Sequence, residues 1–185
     1  MPSRRGSASR PRVSVLRVGH RPGRDPRLTT HVALVARAFG AERMLLHPPD
    51  PALAERLAAV GKTWGGGFRV EGAHSWKAAL SNANGPIVHL TMYGQPLPAV
   101  ISRLRRVKSL LVVVGGPKVP ADLYRLADVN VAVGAQPHSE VGALAVFLDH
   151  LLGLPRARVW AGARQRIVPQ RRGKRVETTG NGTTP

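Results

Sequence analysis

Short apolar segments alternate with helical segments along most of this 185-residue chain, and no other feature constrains the fold as strongly. Val13–Val18 is rich in β-branched residues and predicts a strand, whereas Leu110–Val114 is entirely apolar, as expected for a strand covered on both faces. Helical stretches lie between such strands, and one of them opens with Asp50 followed by Pro51, a common helix start. Strands and helices in alternation indicate an α/β fold with a parallel sheet and helices on both faces.

The same signals predict six strands and six helices. The predicted strands are Val13–Val18, Arg43–His47, Phe68–Val70, Ile87–Thr91, Leu110–Val114 and Val129–Val133. The predicted helices begin at Thr29 or Thr30, Asp50, Ser75, Pro98, Pro120 and His138, and we expect Gly40, Gly61 and Leu152 to end the first, second and last of them. Gly65–Gly67 is expected to be a flexible connector.

The formal net charge of +18 favours a polyanionic partner, with nucleic acid first. Residues 1–12 carry +4 and residues 164–185 carry +5, and both stretches are predicted to be disordered basic arms. Residues 13–163 then form the single folded domain, which keeps a charge of +9. A folded domain holds its charges in fixed places, so this remainder bears more directly on function.

Several function classes are excluded or unsupported. The chain has no cysteine, which excludes disulfides, thiolate metal sites and a cysteine nucleophile, and its seven histidines are scattered without metal-ligand spacing. No apolar run reaches the roughly 18 residues that span a bilayer, so we expect a cytoplasmic protein without a membrane partner. Gly61-Lys62-Thr63 is not a P-loop, because Arg56 stands where the first glycine is required.

Three loops that follow late strands combine glycine with rigid or polar residues. They are Leu90–Gly94, Val114–Pro120 and Val133–Glu140. Glycine lets a ligand approach the backbone closely, and proline holds a loop rigid. In parallel sheets such loops meet at the carboxyl edge, where ligands bind, so together they could hold a purine and its ribose. The alternative is that they only turn the chain.

The loop after the first strand is strongly basic. Arg17, His20, Arg21, Arg24 and Arg27 fall within eleven positions, opposed only by Asp25. Guanidinium groups held close together suit phosphates and sugar hydroxyls, so the loop is a candidate anion site. A solvated basic loop is the alternative.

Four segments together resemble the SPOUT superfamily, and within it the archaeal tRNA 2′-O-methyltransferases that modify cytidine 56. The resemblance is carried by Arg17–Arg21 (RVGHR), Arg27–Ala41, the VGGPKVP segment at 114–120, and Asn130–Val141 (NVAVGAQPHSEV). It spans roughly Val13 to Leu152, which is nearly the whole predicted domain.

The resemblance implies a parallel-sheet α/β fold with a C-terminal trefoil knot, a homodimer, and an active site at the subunit interface. It also implies that the three loops bind S-adenosyl-L-methionine. The implied cofactor-binding residues are Leu90, Gly115, Gly116, Pro117, Lys118, Val119, Val133, Gly134, Ala135, Gln136, Pro137, His138, Ser139 and Glu140. Of these, Ser139 could contact either the cofactor or the ribose.

The implied reaction methylates the ribose 2′-hydroxyl of cytidine 56 in the T-loop of tRNA, by in-line transfer that needs no metal. In related enzymes an early-motif arginine is thought to help deprotonate this hydroxyl. Arg17 and Arg21 are the first candidates for that catalytic role, followed by Arg27 and Arg37.

Two alternatives to this function stay open, namely another tRNA or rRNA position as the target, and a non-catalytic RNA-binding protein. A second basic cluster, of Arg103, Arg105, Arg106 and Lys108, is either a tRNA surface or a solvated helix face.

Overall fold

A computed structural model describes residues 10–24, 26–116, 119–154 and 159–179. The strands are β1 (Arg12–Val18), β2 (Arg43–His47), β3 (Arg69–Gly72), β4 (Ile87–Pro96), β5 (Ser109–Gly115), β6 (Val129–Ala132), β7 (Gln165–Val168) and β8 (Arg175–Thr178). The helices are α1 (Pro26–Ala38), α2 (Pro51–Trp64), α3 (Trp76–Ser81), α4 (Leu97–Leu104), α5 (Ala121–Leu126) and α6 (Glu140–Leu152). No helix among these residues is long and apolar enough to cross a membrane.

The first six strands form one sheet in the order β3-β2-β1-β5-β4-β6, and every neighbouring pair is parallel. This confirms the predicted parallel-sheet α/β fold. The strand order changes direction between β1 and β5, where Arg17 lies opposite Val114 at the carboxyl ends of both strands. A point of this kind is where open α/β sheets bind their ligands.

Apolar side chains cover both faces of the sheet. On β5, Val112 belongs to the larger core cluster, which includes residues of α1, α2, α4 and α6. Val113 points to the other face, where α3 and α5 contribute Leu80 and Leu123 to a smaller cluster. Successive residues of a strand face opposite sides, so only a continuous apolar run can fill both cores.

Helices α1 and α2 both differ from their predicted bounds by at least three residues at one end. Helix α1 begins at Pro26, before Thr29 or Thr30, since the buried Thr29 hydroxyl is hydrogen-bonded to the His20 ring at 2.8 Å and does not cap the helix. Helix α2 continues through Gly61 to Trp64 and is capped by Gly65, whose φ is +71°. A residue with positive φ favours glycine, so the helix ends at the glycine that the backbone geometry requires.

Strand β4 is interrupted beside β6. Leu90 and Gln95 both pair with Val131, so residues 91–94 leave the ladder between them. The backbone of Gly94 passes so close to β6 that a Cβ atom there would lie 2.4 Å from the Asn130 carbonyl carbon. Glycine is therefore required where this segment approaches the backbone of the neighbouring strand.

The prediction of a disordered tail over 164–185 is wrong for residues 165–178. There β7 and β8 form an antiparallel ribbon in which Arg166 donates to Glu177 on the opposite strand at 2.8 Å. The ribbon is joined to α2, because the backbone N–H of Arg164 donates to the Thr63 carbonyl at 2.9 Å. Residues 1–9 of the predicted N-terminal arm and residues 180–185 of the tail lie outside the described residues.

Gly65 and Gly66 are not the expected flexible connector. The N–H of Gly66 donates to the Ala161 carbonyl at 2.9 Å, and a Cβ on Gly66 would lie 2.4 Å from the Trp160 ring. The same ring carries the Arg37 guanidinium 5.5 Å from its centroid. These glycines hold the chain before the ribbon against α1 and α2.

Candidate functional site

A cavity of about 380 Å³ opens at the carboxyl edge of the sheet. It lies where residues 89–93 of β4 and the end of β5 meet the start of α6. Seven of the predicted cofactor-binding residues line it, together with six residues that were not predicted. The seven are Leu90, Gly115, Gly116, Val119, Pro137, His138 and Glu140, and the six are His89, Thr91, Met92, Tyr93, Tyr124 and Ala143.

The other predicted cofactor-binding residues are placed differently. Ser139 caps α6, where its hydroxyl accepts a hydrogen bond from the Val141 N–H at 3.2 Å. Val133, Gly134, Ala135 and Gln136 precede it and are not among the lining residues. Pro117 and Lys118 lie outside the described residues.

Gly115, the last residue of β5, is packed against Val119. An ideal Cβ on Gly115 would lie 1.9 Å from Cγ1 of Val119, so Val119 leaves no space for a side chain at this position. Gly116 has more room, because the atoms nearest to a Cβ placed on it would be the Arg17 guanidinium nitrogens at 3.8 and 3.9 Å. Two glycines in succession expose backbone groups to the cavity, which suits a ligand held by main-chain hydrogen bonds.

Arg17 lies behind the cavity wall. Its side chain is 1% exposed, and its Nη2 is 3.1 Å from Oε1 of Glu140, which is 19% exposed. Nη1 also lies 3.4 Å from the Val18 carbonyl. A buried guanidinium beside a carboxylate stays charged, so the arginine fixes the position of the Glu140 side chain at the cavity.

Arg21 is exposed on the loop after β1 and is not among the lining residues. This loop is anchored by the buried His20, whose Nδ1 is 2.8 Å from the Thr29 hydroxyl and whose Nε2 is 3.1 Å from Oδ2 of Asp50. Hydrogen bonds from the Leu53 N–H and from His20 lower the pKa of Asp50. Arg21 therefore lies on a loop whose position is fixed by the hydrogen bonds of His20.

Sequence reasoning missed His89. It is buried at the cavity, its Nδ1 lies 2.9 Å from Oδ1 of Asn130, and burial lowers its pKa. Its ring meets Tyr124 edge-on, with centroids 4.8 Å apart. A polar residue inside the predicted strand Ile87–Thr91 was the available signal, because such a residue on a buried strand needs a polar partner.

The described residues that line the cavity include no arginine and no lysine. The second basic cluster lies elsewhere, since Arg105 donates to the His150 carbonyl near the end of α6 and Lys108 precedes β5 at the amino edge. Arg37 has a structural role, donating to the Gly65 carbonyl at 2.7 Å. The described part of the chain contains no group of three potential metal ligands.

Comparison with known proteins agrees with the resemblance carried by the motifs. Residues 64–177 match the family model described as "tRNA ribose 2'-O-methyltransferase, aTrm56". The chain is 54% identical to the tRNA (cytidine(56)-2'-O)-methyltransferase of Cenarchaeum symbiosum over 89% of this chain and 96% of that protein. It is 51% identical to the enzyme of the same name from Thermococcus kodakarensis, again over 89% of this chain and 96% of that protein.

Solved structures share the fold at low sequence identity. An RNA 2'-O ribose methyltransferase superposes with a TM-score of 0.59 at 21% identity, covering 82% of this chain and 61% of that one. The SpoU methyltransferase AviRb from Streptomyces viridochromogenes, in complex with AdoMet, has a TM-score of 0.59 at 13% identity, covering 82% of this chain and 62% of that one. The parallel sheet and its helices are thus those of the SpoU and TrmH methyltransferases.

Proposed function

The chain belongs to the tRNA ribose 2′-O-methyltransferase family, and from that membership we propose that the cavity at the carboxyl edge is its active site. The enzyme transfers a methyl group from S-adenosyl-L-methionine to the ribose 2′-oxygen of cytidine 56 in tRNA. The observation that carries the site is the position of Leu90, Gly115, Gly116 and Glu140 around one cavity at the carboxyl edge.

The residues present fit this cofactor. A cavity of about 380 Å³ is within the range that holds small ligands, roughly 300–1,000 Å³. Gly115 and Gly116 leave the backbone accessible, and the Glu140 carboxylate offsets the charge of the buried Arg17, so that the wall does not repel a cationic ligand. When bound, S-adenosyl-L-methionine supplies a methyl group on a positively charged sulfur that departs as a neutral thioether.

The residues of the chain then have to hold two reactants in line. The ribose 2′-oxygen must face the methyl carbon from the side opposite the sulfur. We assign the backbone of Gly115, Gly116 and Val119 to the adenosyl group, and Glu140 to the positively charged part of the cofactor. Arg17 acts as a positioning residue, because its guanidinium contacts Glu140 and is buried away from solvent.

We further propose a homodimer in which each subunit completes the other's site. An RNA substrate needs cations near the reacting ribose, yet the described lining residues include no arginine or lysine. Arg21 is exposed on a loop that His20 anchors, so the Arg21 side chain of a second subunit could reach the cavity of the first. There its positive charge would favour the deprotonated 2′-oxygen, which is the catalytic role assigned to Arg21.

Mixed subunits test this arrangement. Gly116→Trp fills the cavity without a backbone clash, because the nearest atoms to a Cβ there are 3.8 Å away. Gly116→Trp and Arg21→Ala homodimers should both be inactive, whereas an equal mixture allowed to exchange subunits should recover about a quarter of wild-type activity. Recovery of no activity from demonstrably mixed dimers would contradict the shared site.

We also infer the C-terminal trefoil knot of the SPOUT fold. The close approach of Gly94 to the Asn130–Val131 backbone supports it, because residues 91–94 leave the ladder and press against a strand that follows later in the chain. A crystal structure traced without breaks through residues 87–152 tests the knot directly. A trace in which the segment after β5 does not thread past residues 91–96 would exclude it.

The function is tested with an unmodified tRNA transcript and S-adenosyl-L-methionine carrying a labelled methyl group. We expect one methyl group per tRNA, located at cytidine 56 by mass spectrometry of nuclease fragments, and none on a transcript with 2′-deoxycytidine at that position. Methylation of another nucleotide would indicate a different target. Tight tRNA binding without transfer would indicate a non-catalytic RNA-binding protein.

A further inference from the structure

Both tyrosines of the chain lie at the same cavity. Tyr124 lies on α5 and is partly buried, whereas Tyr93 lies in the interrupted part of β4 and is 78% exposed. Aromatic residues make up only 4% of this chain, so two rings at one cavity are a concentrated use of them. Tyrosine is enriched at interfaces because its ring is apolar and its hydroxyl polar, so the exposed Tyr93 ring at this cavity mouth is suited to contact a ligand.

The three aromatic rings at this cavity form a series from the sheet to the solvent. His89 is held by Asn130, and Asn130 also donates to the Tyr124 carbonyl at 2.8 Å. The His89 and Tyr124 rings meet edge-on, and the Tyr93 ring lies 6.4 Å from Tyr124 at an interplanar angle of 53°. The inner two rings are therefore fixed, and they support the outer ring on one side only.

The backbone under Tyr93 is also constrained. Gly94 has no space for a side chain, because its Cβ position lies 2.4 Å from both the Asn130 carbonyl carbon and the Val131 nitrogen. The segment is thus pressed against β6 directly after Tyr93. A ring presented from such a segment loses little freedom when a ligand stacks on it.

We propose that Tyr93 stacks on the base of the RNA nucleotide whose ribose is methylated, which rests on the proposed function of this cavity. The base is attached to the ribose carbon next to the one that carries the 2′-oxygen. When that oxygen enters the cavity, the base must lie within a few ångströms of its mouth, where Tyr93 is. Proteins commonly hold unstacked RNA bases on aromatic rings in this way.

Substitution of Tyr93 separates stacking from cofactor binding. For Tyr93→Ala we expect kcat/KM for tRNA to fall roughly 5- to 150-fold, the range that loss of one base–aromatic stack produces. The Kd for S-adenosyl-L-methionine should be unchanged, and Tyr93→Phe and Tyr93→Trp should keep most of the activity. Leu126→Ala is the matched control, since Leu126 is 48% exposed and is not among the residues that line the cavity.

A transcript with an abasic ribose at position 56 identifies the stacked base. This RNA keeps the 2′-hydroxyl, so wild type and Tyr93→Ala should methylate it at nearly equal rates if Tyr93 contacts only the missing base. A loss of similar size on both RNAs overturns the proposal. So does weakened cofactor binding, or a change in the mass of the assembly caused by Tyr93→Ala, which would place the ring in a subunit interface.

The same assays keep the two proposals apart. Activity of the wild-type chain at cytidine 56 reports on the proposed function, and the ratio of Tyr93→Ala to wild type reports on Tyr93. An inactive wild-type chain overturns both proposals. An active wild type with an equally active Tyr93→Ala variant overturns the role of Tyr93 alone.

Discussion

A methyl group added at Gly115 would test whether the cavity wall depends on the close packing of Gly115 against Val119. The Cβ of Gly115→Ala would lie 1.9 Å from Cγ1 of Val119, whereas two carbons in contact prefer about 3.5–4.0 Å. One of the two groups must therefore move by about 1.5–2 Å. Val119 cannot easily turn away, because β-branched side chains are stiff at χ1. Overpacking of this kind costs about 1–3 kcal/mol.

A second substitution, Val119→Ala, tests whether Cγ1 of Val119 causes this clash. Val119→Ala removes Cγ1, and the contact that remains is between two Cβ atoms at 3.3 Å, which needs a shift of only a few tenths of an ångström. Val119→Ala by itself should cost about 1 kcal/mol, since Val119 packs only partly buried against the smaller core cluster. The double variant should be nearly as stable as Val119→Ala, which means a favourable coupling of about 1–3 kcal/mol.

Urea denaturation gives the free energies of unfolding for the four proteins, and calorimetry gives their affinities for S-adenosyl-L-methionine. We expect Gly115→Ala to weaken cofactor binding as well as stability, because Gly115 and Val119 both line the cavity. The close packing of Gly115 against Val119 would be refuted if Gly115→Ala were as stable as wild type. It would also be refuted if the two substitutions had strictly additive effects in the double variant.

Three other substitutions have defined outcomes. Glu140→Gln should lower the free energy of unfolding by about 2 kcal/mol in urea denaturation, less than for a fully buried pair because Glu140 is partly exposed; an unchanged value would contradict a role for its charge beside Arg17. Gly94→Ala should cost at least about 3 kcal/mol or prevent folding, measured the same way, since its Cβ would meet backbone that no rotamer change can move; wild-type stability would be the contrary result. Burial lowers the pKa of His89, so the folded chain binds this proton less readily than the unfolded chain. The stability that the neutral His89 contributes is therefore complete above the unfolded pKa of about 6.5 and declines as the pH falls below it. Between about pH 7 and pH 5, His89→Gln should lose less stability than wild type. Equal losses would exclude His89 as the cause.

Local signals were sufficient to locate the elements of the sheet. The predicted strand Arg43–His47 has the observed bounds of β2, and Leu110–Val114 lies inside β5. Both are short apolar segments between helix signals, and such patterns depend on which residues are buried more than on what they contact. The end of α2 was misplaced because a glycine within a helix is tolerated, whereas a glycine with positive φ ends it.

Contacts between distant segments could not be predicted in this way. No local pattern joins Arg17 to Glu140, since their contact follows from the β1–β5 pairing and from where α6 begins. The ribbon of β7 and β8 was missed because its basic composition resembles a disordered tail, while Glu177 across from Arg166 stabilises the pairing. The exposed ring of Tyr93 likewise depends on the interruption of β4 beside β6, which only the sheet order reveals.

The distribution of charge follows from the chemistry of a cationic methyl donor acting on a polyanion. Two unit positive charges 4 Å apart repel by about 4 kcal/mol at an effective dielectric constant of 20, so an unscreened arginine beside the cofactor would weaken its binding. The Arg17 guanidinium lies next to Gly116 at the cavity, and the Glu140 carboxylate, 3.1 Å from Arg17 Nη2, offsets its charge. RNA, in contrast, requires positive charge near its phosphates. A chain with a net charge of +18 is compatible with both demands, because the described residues that line its cavity include no arginine or lysine while exposed arginines such as Arg21 lie outside that lining.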